Sequence, residues 1–285
     1  MYDAYATAVE KEIAAWLEDA TGHLGGFFHM MRYQMGLADD TSPTVPVRER
    51  TRPYSFLCFL TCAAVSGSGQ DAIRAAAGIQ LLTNFFQAHI DIEAQAPNVD
   101  GRPASWTLWG AAQSINLGDG MFSLASRVML ESVNDPKRSL AIFREFTDVS
   151  LHQTRGQFMA LTFDGRTDVA LDEYVEMVEL KMGALAGYSA WTGALIGGST
   201  DDVQQALRSF GSDLGVAHAI VNDVSRPFLS EPASQSEAGK ASTVQGIEEH
   251  AHQRLDRALA TLERAALPPS GHRSLEELAR EMVLR

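Results

Sequence analysis

Residues 71–93 read DAIRAAAGIQLLTNFFQAHIDIE. Apolar residues recur on nearly every face of this stretch at helical spacing, and a helix apolar all round belongs inside a bundle. Its last turn nevertheless carries two carboxylates, Asp91 and Glu93, and the following AQAPNVDGRP is marked as a loop by its prolines and glycine. An acidic helix end alone says little about chemistry. The stretch does predict an all-α architecture with this helix near its centre.

Working outward, the period stays helical almost throughout, and strand-like alternation over several residues is hard to find. Residues 3–20 read as an amphipathic helix with Tyr5, Val9, Ile13, Trp16 and Leu17 on one stripe, and Met30, Met31 and Met35 fill the face of another. The segment 39–52, with Pro43 and Pro46, reads as a loop. From Arg52 a helix runs through PYSFLCFLTCAAV and stops at Gly67–Gly69. Further helices are expected at 106–117, 119–132, 136–163, 171–197, 201–225, 243–264 and 273–284, with Pro227–Ser242 as a loop or lid. There is no internal repeat, and the 285 residues fit one large domain, 1–285.

Composition narrows the function classes. Apolar residues make up 45% and charged ones 21%, as in a globular protein with a sizeable core. The net charge of −13 and the lack of any Lys/Arg run argue against nucleic acid or an anionic membrane as partner. No apolar run approaches the roughly 20 residues that span a bilayer, and the charged first 20 residues are unlike a signal peptide, so the cytoplasm is the expected location. Cys58 and Cys62 lie four apart on one helix face; that geometry disfavours a disulfide, and two thiols alone make a poor zinc site.

Five blocks carry a resemblance. In chain order they are RERTRPYSFLCFL, NFFQAHIDIEAQAPNVDGRPASWTLWGAAQSINLGDGMF, HQTRGQFMALTFDGR, ELKMGALAGYSAWTGALIGG and FGSDLGVAHAIVNDVSR. They resemble the Gly-Lys-Arg-x-Arg-Pro segment, the aspartate-rich helix with its Arg-Arg-Gly-x-Pro loop, the Gly-Gln helix, the Lys-Thr-Gly-Ala-Leu helix and the second aspartate-rich helix of trans-isoprenyl diphosphate synthases, the polyprenyl synthetase family. The resemblance covers roughly residues 48–226. It implies an isoprenoid synthase helical bundle around a central cavity, a prenyl diphosphate or other isoprenoid as ligand, and a homodimer or a heteromer with an active homologue. It also implies two carboxylate sets that clamp Mg2+ around an allylic diphosphate.

The departures fall on the residues that do the chemistry. Where the family has Asp-Asp-x-x-Asp, this chain has Ile90, Asp91, Ile92, Glu93 and Ala94; in the second motif it has Asn222, Asp223 and Arg226. Asp91, Glu93 and Asp223 remain as candidate metal ligands, and Mg2+, which shares carboxylates with substrate phosphates, is expected to bind weakly. The family's diphosphate-gripping Lys becomes Glu49, and its two loop Arg become Val99 and Asp100. Arg50, Arg52, Lys181, Gln157 and Lys240 are the diphosphate-binding candidates that survive.

His218 stands where the family has an aromatic, one helical turn before Asn222. Facing the cavity, it could serve as a base, with Asp91 and Asn222 as the other catalytic candidates; the plainer reading is a histidine that fills the aromatic's space. His89, Phe85 and Phe86 are cavity candidates, although core packing explains the aromatics as well. Two functions follow as expectations. One is a divergent prenyltransferase that moves a prenyl group to a non-isopentenyl acceptor, or cyclises it. The other is a catalytically silent subunit that regulates an active synthase.

Overall fold

The computed structural model describes residues 2–18, 25–40, 52–166, 168–224 and 237–284. It is almost wholly helical, as the periodicity predicts, and divides into two compact units. One comprises Met1–Phe56 with Ile73–Phe143, and the other Leu57–Ala72 with Arg144–Arg285.

The first unit holds α1 (Tyr2–Trp16), α2 (Gly25–Met35), the start of α3 (Pro53–Ser66), α4 (Ile73–Glu93), α5 (Ser105–Trp109), α6 (Ala111–Leu130) and the start of α7 (Pro136–Thr162). Of the predicted stripe, Tyr5, Val9, Ile13 and Leu17 are fully buried, whereas Trp16 is half-buried and donates its Nε1–H to Glu12 Oε1 at 3.0 Å. Tyr5 also donates its hydroxyl to Ser55 Oγ at 2.6 Å, and Ser55 donates to Gln80 Oε1 at 3.0 Å, so α4 is tied to α1 through a buried polar relay. Such groups are tolerated inside a core because each finds a partner.

Two expectations are corrected here. The helices read as 106–117 and 119–132 are one short and one long helix, parted at Gly110, whose φ of 81° suits glycine. Gly118 lies inside α6 because a Cβ there would meet His89 Cε1 at 2.3 Å; this glycine serves close packing, not a break. Second, the loop after α4 contains a small antiparallel hairpin, β1 (Asn98–Val99) with β2 (Arg102–Pro103). Asp100 and Gly101 at φ 52° and 74° make the left-handed turn that an Asp-Gly pair favours.

The second unit holds the rest of α3 and α7, α8 (Leu171–Val178), a π-helical segment (Glu179–Gly183), α9 (Ala184–Ile196), α10 (Asp201–Val224), α11 (Glu237–Arg264) and α12 (Pro269–Val283). Every residue from Leu185 to Ala194 is buried, so α9 is the central helix of this unit. Tyr174, Val178, Val216, Ile220, Ile247 and Ala251 join α8, α10 and α11 in one apolar cluster. The helix read as 171–197 is interrupted by the π segment. Residues 227–236 of the expected loop lie outside the described residues, and its last part, 237–242, is helical, where EAGKAS supplies the helix formers Glu, Ala and Lys. Cys58 and Cys62 are free and buried. Among the described residues no helix is long and apolar enough to cross a membrane.

Candidate functional site

In the first unit the candidate residues gather at the end of α4. The helix closes on a Schellman motif: Ala96 N–H donates to Asp91 O at 3.0 Å and Gln95 N–H to Ile92 O at 3.0 Å, with Gln95 at φ 49° in the place glycine usually takes. The Asp91 carboxylate, 4% exposed, accepts a 2.6 Å hydrogen bond from Gln87 Nε2. Gln87 escaped the sequence reading, although its position one turn before Asp91 was the available signal. Glu93 is exposed and lies two residues on, so it projects roughly 200° around the helix from Asp91.

His89 turns toward α6. Its Nδ1–H donates to Phe85 O at 3.1 Å, its ring lies against Gly118, and its Nε2 stands 3.8 Å from Asp119 Oδ1. Phe85 packs on Phe86, His89 and Phe122 with ring centres 4.6, 4.8 and 5.1 Å away, so the cavity candidates form an aromatic wall between α4 and α6. The hairpin after α4 is itself pinned: Arg102 donates to Tyr33 O and stacks on the Tyr33 ring at 4.2 Å, while Tyr33 donates to Pro103 O at 2.7 Å.

Arg52, expected among the diphosphate-binding residues, has partners of its own. Its side chain is 2% exposed and its Nη2 donates to Glu10 Oε1 at 3.2 Å and to Met35 O at 3.4 Å. Burial and these partners place it in the interior of the first unit. Arg50, with Glu49 and Arg226, lies outside the described residues, as do the side chains of Asp223 and Lys240.

In the second unit Lys181 and Gln157 meet: Lys181 Nζ donates to Gln157 Oε1 at 2.6 Å. Lys181 stands in the π-helical segment, a turn type that collects at functional sites. The contact needs Gly156, because a Cβ there would lie 2.6 Å from Lys181 Cγ and 3.1 Å from Met177 O. His218 is partly buried at the end of α10. Its Nδ1–H donates to Met282 O of α12 at 2.9 Å, and burial pushes its pKa below the ordinary histidine value. Because a carbonyl can only accept, the proton of that bond sits on Nδ1; the Asn222 Nδ2 lies 3.3 and 3.2 Å from the two ring nitrogens, over the ring face, and donates to His218 O at 2.9 Å.

The described donors do not by themselves assemble a magnesium cluster. Among the described residues no three His, Cys, Asp or Glu side chains come together to hold a metal ion. The best carboxylate, Asp91, is buried and hydrogen-bonded, and its neighbour Glu93 points elsewhere, whereas Mg2+ demands an octahedral set of hard oxygens.

Comparison with known proteins completes this picture. A family model described as Polyprenyl synthetase matches residues 48–241. A (2E,6E)-farnesyl diphosphate synthase of Mycobacterium tuberculosis is 33% identical over 195 residues, 68% of this chain and 54% of the relative. A geranylgeranyl diphosphate synthase of Methanosarcina mazei is 32% identical over 176 residues, 62% of this chain and 54% of the relative. The chain thus spans about half the length of the curated relatives it matches. Among solved structures, a polyprenyl synthetase from Streptomyces coelicolor A3(2) superposes with a TM-score of 0.84 at 19% identity, covering 99% of this chain and 98% of that one. At that identity the likeness speaks for the fold, the all-α fold of the isoprenoid synthases. With its motif blocks, its helical architecture and the family model in agreement, the chain belongs to the polyprenyl synthetase family.

Proposed function

We propose that this chain is a prenyltransferase of isoprenoid biosynthesis that holds the diphosphate of an allylic prenyl substrate through Lys181 and Gln157. The observation that carries the reading is their 2.6 Å hydrogen bond, formed where a π turn and Gly156 bring two family blocks together. Gln157 Oε1 accepts the hydrogen bond from the Lys181 ammonium, which sets the two side chains next to each other. Ammonium and amide can then donate to one anion.

Ionising the allylic C–O bond leaves both electrons on the diphosphate, and a positioned cation lowers the barrier by stabilising that charge. Glu49, Val99 and Asp100 replace the family's cations for a second diphosphate, which disfavours isopentenyl diphosphate as acceptor. The carbocation is then captured by another nucleophile or by its own chain. His218, neutral and anchored through Nδ1, offers Nε2 as the base that removes the final proton. Farnesyl and geranylgeranyl diphosphates, supplied with and without Mg2+ and with aromatic acceptors, are expected to release diphosphate, and K181M to lose most of that release. No release under any condition overturns the reading.

A second reading, a silent subunit that tunes an active synthase, is favoured by one observation: Asp91, the surviving central carboxylate of the first motif, is buried against Gln87. It predicts prenyl diphosphate binding without turnover, and co-elution with an active homologue whose product length shifts.

A further inference from the structure

The stripe of α11 that faces its own unit comprises Ile247, Ala251, Leu255, Ala258 and Leu262, all buried. Arg254 interrupts the edge of this stripe with a side chain only 11% exposed. A guanidinium in that position needs partners, since an unpaired buried charge is costly. It has three. Nη1 donates to Asp213 Oδ1 of α10 at 2.9 Å, Nε donates to His250 Nε2 at 3.1 Å, and Nη2 donates to Glu179 Oε1.

Glu179 is the first residue of the π-helical segment, and Lys181 is two residues further on. A π turn is a local excursion from the α-helix that persists only when its surroundings hold it. One side of this turn is held by Gly156 and Gln157 of α7. On the other side Arg254 bridges it to Asp213, whose side chain is 9% exposed and is also reached by Arg257 at 3.4 Å.

We propose that Arg254 is a positioning residue for Lys181: by clamping Glu179 to Asp213 it fixes the π turn that presents the Lys181 ammonium beside Gln157. The proposal rests on the reading that Lys181 and Gln157 hold a diphosphate. It assigns a role in anion binding to a residue of the helix that follows the second motif, although Arg254 itself does not touch the anion.

The test is calorimetric titration of the full chain with inorganic pyrophosphate. Lys181→Met is expected to weaken binding about tenfold, the loss of one charge-assisted contact. Arg254→Gln is expected to weaken it several-fold in the wild-type background and not at all once Lys181 is methionine, because coupled residues are non-additive. Arg257→Gln removes an equal charge from the same carboxylate without touching Glu179, and is expected to change affinity less. The decisive variant is Glu179→Ala. By charge alone it should tighten anion binding, whereas loss of the clamp should weaken it. Glu179 is 44% exposed, so this variant also remains informative where Arg254→Gln fails to fold. If Lys181→Met has no effect, the diphosphate reading fails. If Lys181→Met weakens binding while Glu179→Ala tightens it and Arg254→Gln matches Arg257→Gln, the positioning role alone is overturned.

Discussion

Replacing Glu10 by glutamine removes the counter-charge of a guanidinium with little route to water. Arg52 is 2% exposed, Glu10 12%, and their N···O separation is 3.2 Å. Removing one partner of a buried pair costs about 3–5 kcal/mol. The glutamine Oε1 still accepts the hydrogen bond, which brings the expected loss to about 2–3 kcal/mol, or roughly 5–10 °C in Tm for a unit of this size. Arg52→Met should cost less, about 1–2 kcal/mol, because methionine occupies the stem's volume and removes the buried cation. The Glu10 left behind protonates readily, since burial already pushes its carboxyl up and only Arg52 pulls it back. The pair of substitutions together should return much of the loss. Thermal and urea unfolding of the three variants measures this order, and pyrophosphate titration of Arg52→Met supplies the functional control. Unchanged stability in Glu10→Gln, with pyrophosphate affinity lost in Arg52→Met, would refute the interior role and restore Arg52 as a diphosphate ligand.

Other consequences concern the second unit. His218 has its pKa lowered by burial, so its contribution to stability is present above about 6.5 and is lost as pH falls through the folded value; unfolding at pH 7.5 and 5.5 should show a smaller difference in His218→Gln than in wild type. Gly193→Ala places a Cβ 2.1 Å from both Cys58 O and Thr61 Oγ1, and since a backbone oxygen cannot swing aside, a net loss of about 1–3 kcal/mol is expected in urea unfolding despite alanine's better helix propensity. Cys58 and Cys62 are each 0% exposed with thiol pKa values pushed up by burial, so a thiol reagent should label neither until the chain opens; rapid labelling of native protein would contradict that packing.

Much of this protein was legible in its sequence because its signals are local. The apolar run 71–93, the stripe Tyr5-Val9-Ile13-Leu17 and the order of the five blocks depend on residue type and spacing, and helical geometry turns spacing directly into faces. The carboxylates that the chain does carry at the end of that apolar run, Asp91 and Glu93, were equally plain, since residue type is read position by position. What only the tertiary structure decided concerns partners distant in sequence. Arg52 meets Glu10 across 42 residues, Lys181 meets Gln157 across 24, His218 meets Met282 across 64, and Arg254 meets Glu179 across 75. No periodicity encodes such meetings. Gly118, which falls between the expected helices 106–117 and 119–132, sits inside α6 against His89, 29 residues away, and the π turn has no compositional mark. Whether a cation serves a ligand or an interior carboxylate depends on burial and on what lies opposite, and packing alone sets both.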